Sequence, residues 1–105
     1  MIGYIYHHLE YFEISGKDVV VNMTSSDHRL LHKKLKKLDI NFRSKYSEEL
    51  ISCIEKYAHQ RQNIKIVRNK NLPIYTFEEA LKYHLYINGF DDYEINKILN
   101  NSSIF

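Results

Sequence analysis

One cysteine, one proline, three glycines and no tryptophan occur among the 105 residues of this chain. Each scarcity excludes something. The single thiol, Cys53, can form neither an internal disulfide nor a cysteine-rich zinc cluster, so packing must hold the fold. So little glycine and proline excludes a linker or a collagen-like chain. No apolar run approaches the roughly 18 to 20 residues that span a bilayer. The opening segment, MIGYIYHHLEYF, also lacks a basic stretch followed by a clean apolar run and a small-residue cleavage site. A soluble, cytoplasmic protein with no membrane partner is therefore expected. Neither charge sign dominates: 15 Lys and Arg against 13 Asp and Glu leave +2, too little to coat nucleic acid nonspecifically.

What is present is apolar and aromatic. A chain with 44% apolar, 13% aromatic and 27% charged residues has the composition of a folded globular protein. Its length suits one domain over residues 1–105. Nine tyrosines, alongside frequent Ile, Asn and Lys, match the codon supply of an A/T-rich genome such as that of a low-GC bacterium or its phage. Codon supply sets their number but not their positions. Tyr4, Tyr6, Tyr11, Tyr83, Tyr86 and Tyr93 exceed what one small core conceals, and tyrosine offers a large rigid contact area with a polar end. These six are the candidate protein-binding residues, with a second copy of the chain among the partners considered.

Residues 2–23 read as a β-hairpin with a two-residue turn at Gly16-Lys17, which pairs Ile14 with Val19, Phe12 with Val21 and Glu10 with Met23. One face then gathers Phe12, Ile14, Val19, Val21 and Met23, and only that face should be covered. Thr24 and Asp27 have the spacing of a capping box. The helix that follows carries Leu31, Leu35 and Leu38 on one side, with Arg29, Lys33, Lys36 and Lys37 largely opposite. A second helix runs to His59. Ile64 to Arg68 reads as a strand, Asn69 to Asn71 as a polar turn, and Leu72 to Tyr75 as an edge strand returning beside it. Thr76 and Glu79, then Asp91 and Glu94, open two further helices separated by Asn88-Gly89. The expected fold is α+β, an antiparallel sheet of three to four strands with about four helices packed mainly on one face.

The most specific local pattern is LYINGFDDYEINKIL at residues 85–99, which looks like the centre of a helix-turn-helix. There Asn96 and Lys97 would meet base edges or phosphates; the basic helix face of Arg29, Lys33, Lys36 and Lys37 is a separate candidate for contact with nucleic acid or with an acidic protein. Asp91, Asp92 and Glu94 oppose this, because they sit at the end that would approach the phosphates. His28 and His32 are spaced so that two imidazoles on one helix side can share a zinc, but a third ligand is missing locally. His7 and His8 alternate on a strand, so at most one of them could join, and His84 reads as an inward-facing core residue. No metal, no cofactor and no catalytic residue are therefore expected, and no phosphate loop or nucleophile elbow is present. The expected function is noncatalytic: binding a protein partner and regulating or inhibiting it. The alternative is a DNA-binding regulator using the helix-turn-helix-like segment at residues 80–99.

Overall fold

The computed structural model describes residues 4–68 and 72–100. In chain order its elements are β1 (Tyr4–Glu10), α1 (Phe12–Ser15), β2 (Val19–Thr24), α2 (Ser25–Lys37), α3 (Phe42–Lys45), α4 (Glu48–Arg68), α5 (Phe77–Ile87) and α6 (Asp92–Asn100). The Tyr-rich and Val-rich segments form the strands, as β-branched and aromatic side chains favour. They run antiparallel, with His7 opposite Val21 and His8 opposite Val20, and a register shift between His8 and Glu10 brings Glu10 to Val19.

This corrects the hairpin read from the sequence. Residues 12–15 wind into the single helical turn α1, which Gly16 closes at φ +83° by donating its N–H to the Phe12 carbonyl. A positive φ serves a left-handed helix cap as readily as a type II′ turn, so the glycine was compatible with both. Asp18 favours the helical turn by accepting the Phe12 N–H at 3.1 Å. Phe12 and Ile14, expected inside, are exposed as a result. Val20 and Val21 are both buried, at 3% and 1% exposure. Adjacent strand residues point to opposite faces, so both faces of β2 are covered here and not one.

The expected sheet of three to four strands is also corrected. Among the described residues there is one sheet, of two strands. Residues 64–68, expected as a strand, continue α4, because nothing between His59 and Ile64 breaks a helix. The turn expected at Asn69 to Asn71 lies outside the described residues. Leu72 to Tyr75 lies along β2: Asn22 N–H donates to the Pro73 carbonyl and Tyr75 N–H to the Asn22 carbonyl, each at 2.8 Å. That makes a single parallel bridge at Ile74.

The helix starts follow the capping residues. Thr24 accepts the Asp27 N–H, and Thr76 and Glu79 form a reciprocal capping box. Asp91 accepts the Glu94 N–H at 2.8 Å. Asp27 also accepts the Phe77 N–H, which ties the first turn of α2 to that of α5. Leu31 and Leu35 of α2, Ala80, Leu81 and Leu85 of α5 and Ile95 of α6 pack with Leu9, Val21 and Met23 of the hairpin in one core. Ile51, Ile54 and Ala58 of α4 are buried outside that cluster. Among the described residues no helix is long and apolar enough to cross a membrane.

Candidate metal centre

Strand alternation sends His7 to the face of its cross-strand partner Val21 and His8 to the other. The core-facing side of the hairpin meets α2 and α5, each of which presents histidine there. His28 and His32 lie one turn apart on α2, and His84 lies in the last turn of α5. The His7 ring centroid is 5.2 Å from those of His28, His32 and His84, and His28 and His32 are 4.4 Å apart. Two contacts join them: His7 Nε2 to His84 Nε2 at 2.9 Å and His28 Nε2 to His32 Nε2 at 3.0 Å. One ring nitrogen each from His7, His28 and His32 lies within 4.8 Å of the others.

Burial and mutual repulsion keep these rings neutral at pH 7. Desolvation, then the neighbouring imidazoles, pushes His7 from 6.5 down to about 2. Burial and His32 push His84 down to about 4. His28 is lowered by burial and by His32, and His32 by burial. Neutral imidazole is the form that ligates a metal. Zinc–nitrogen bonds of about 2.0–2.1 Å place neighbouring tetrahedral ligand atoms about 3.3 Å apart, and these three nitrogens lie within 4.8 Å of one another.

No family model matches this chain, and no curated protein or solved structure matches it.

The four imidazoles share the lining of a cleft of about 1300 Å³ with Tyr4 and Tyr6. Tyr11 reaches the cleft as well, stacked on His8 with centroids 4.7 Å apart, and burial pushes its hydroxyl up to about 12. Tyr83 is half-buried and donates to Glu10. Tyr86 and Tyr93 are 72% and 74% exposed on α5 and α6. The six tyrosines are thus divided between the cleft and the two last helices. Arg29, Lys33, Lys36 and Lys37 are exposed on α2, and Asn96 and Lys97 are exposed on α6. Helix α5 packs against both of those helices.

A second polar cluster occupies the opposite face of β1. His8 Nε2 lies 3.3 Å from Asp18 Oδ1, and Asp18 also accepts from Arg61 Nε at 2.6 Å. Arg61 Nη2 reaches Glu13 Oε1 at 2.5 Å. These contacts fasten α4 to the β1–β2 connection.

The sequence showed the His28–His32 pair and limited the strand to one contributing histidine. It did not show that His7 comes within reach of that pair, or that His84 pairs with a histidine ring. Strand alternation and the inward stripe of α5 were the available signals; the distance between the elements was not.

Proposed function

We propose that this chain is a metal-binding protein that holds a divalent transition-metal ion through His7, His28 and His32. The convergence of these three neutral imidazoles from two separate elements carries the reading. An all-imidazole donor set suits Zn²⁺, Cu²⁺ or Ni²⁺ and suits Mg²⁺ and Ca²⁺ poorly, since those ions take oxygen ligands. The ion would join β1 to α2, which is a structural contribution even without chemistry. Titration of chelator-treated protein with Zn²⁺, followed by calorimetry, tests it. One ion per chain is expected, with binding lost in His28→Ala and His32→Ala. Equal binding by wild type and the His28→Ala/His32→Ala double variant would overturn it.

A second reading keeps the noncatalytic binding role, in which the protein regulates or inhibits a protein partner. It is supported by the high exposure of Tyr86 and Tyr93. Asp91, Asp92 and Glu94 at the start of α6 favour a protein surface there over a DNA backbone. Self-association is the first case to measure. Sedimentation should show concentration-dependent growth in mass that Tyr86→Ser/Tyr93→Ser abolishes, and a monomer at all concentrations would count against a second copy as partner.

A further inference from the structure

We infer that the metal centre keeps one coordination position open toward the cleft, and that this position takes an oxyanion, with Lys36 holding its second oxygen. This rests on the metal reading above and adds to it the class of ligand. The first support is the donor count. Among the described residues, only three imidazoles lie in mutual reach, while His84 is engaged with the His7 ring at 2.9 Å. An imidazole that donates through one ring nitrogen ligates through the other, the usual arrangement by which a neighbouring group orients a ligand. His84 then acts as a positioning residue for His7. Three protein ligands leave a tetrahedral ion one exchangeable position, whereas four would close it.

Access is the second support. All four imidazoles line the cleft, and His32 is exposed, so the ion's free side faces solvent space and not packed core. Charge is the third. Three neutral imidazoles leave the ion its full positive charge, which in a partly desolvated site favours an anionic fourth ligand. The carboxylate of Glu10, which also lines the cleft, is already bonded by Tyr83 and lies 3.5 Å from Lys17.

Lys36 gives the anion a second contact. His28, His32 and Lys36 follow one another at four-residue intervals on α2, so all three project along one side of the helix. Lys36 lines the same cleft. A carboxylate or phosphate has one oxygen for the ion and another for this ammonium group, and lysine binds such groups as a point charge.

The Co²⁺-loaded full chain supplies a visible spectrum in which ligand exchange is read directly. Titration with acetate and, in a separate arm, inorganic phosphate should shift that spectrum to saturation. The tighter of the two identifies the preferred oxyanion. Lys36→Gln, a change at an exposed position, should weaken anion binding about tenfold, the worth of one charge-assisted hydrogen bond, with Co²⁺ affinity unchanged. His84→Gln should weaken Co²⁺ binding and leave the anion response in place. A Co²⁺ spectrum unmoved by either anion overturns this inference alone. An anion response seen only in His84→Gln also overturns it, because His84 would then be the fourth ligand. Failure to obtain any Co²⁺ spectrum overturns the metal reading and this inference together.

Discussion

At the scale of single residues, His7 and His32 should separate packing from ligation. His7 is buried and its Nε2 is paired with His84, so alanine there removes a ring from the interior and leaves a neighbouring imidazole without its partner. The expected cost in metal-free protein is about 1–3 kcal/mol. His32 is exposed and its ring contact is with His28 at 3.0 Å, so alanine there should cost the metal-free protein less, about 1 kcal/mol. Both variants should lose the stabilisation that metal gives the wild type. Thermal melts with Zn²⁺ and with chelator measure all four quantities. A His32→Ala protein that still gains stability from Zn²⁺, to the wild-type extent, would remove His32 from the ligand set. The sequence placed His28 and His32 side by side because both are on one helix, where spacing fixes geometry, although no metal was expected there. It could not announce their meeting with His7, which depends on how a strand and a helix distant in sequence pack.

At the scale of elements, the Arg61 clamp makes stability depend on pH. The Asp18 carboxyl is pushed up by burial, but the Arg61 hydrogen bonds and the Phe12 N–H outweigh this and hold it below its ordinary value of 3.8. Glu13 is held below 4.5, chiefly by its hydrogen bond from Arg61. A carboxyl with a lowered folded-state pKa stabilises the fold fully above its unfolded value and loses that contribution as pH falls through the folded one. Wild type should therefore lose stability as pH drops below these ordinary carboxylate values. Arg61→Ala should cost about 2 kcal/mol at neutral pH, allowing for partial solvent screening, and should flatten the acid limb. Urea titrations across that range check it; an equally steep acid limb in the variant would show that other carboxylates set it. The elements themselves were legible where a local rule chose one outcome. Thr24 with Asp27, Thr76 with Glu79 and Asp91 with Glu94 each mark an observed helix start. Gly16 fitted two turn geometries, and the β-branched residues of Ile64 to Val67 suited a strand by propensity while an unbroken helix carried them along.

At the scale of the whole molecule, metal should not protect every part equally. A ligand that binds only the folded chain stabilises it by mass action, about 2.7 kcal/mol at one hundred times the dissociation constant. Amides that exchange only through global unfolding must gain that full amount. Amides that exchange through a local opening that leaves the ion bound gain nothing from it. The core joins β1, β2, α2, α5 and α6, and the three proposed ligands sit on β1 and α2. Helix α4 packs against the single-turn helices α1 and α3, keeps its buried Ile51, Ile54 and Ala58 outside that core, and is fastened to Asp18 and Glu13 by Arg61. It has the attachments of a unit that can open separately. Hydrogen exchange with and without Zn²⁺ should therefore show large added protection in the middle of β1, α2 and α5 and little in α4. Arg61→Ala should speed exchange in α4 further without touching the metal-dependent protection of β1 and α2. Equal gains throughout would mean that α4 opens only when the whole chain unfolds, and the clamp would then be one contact among many in a single cooperative unit.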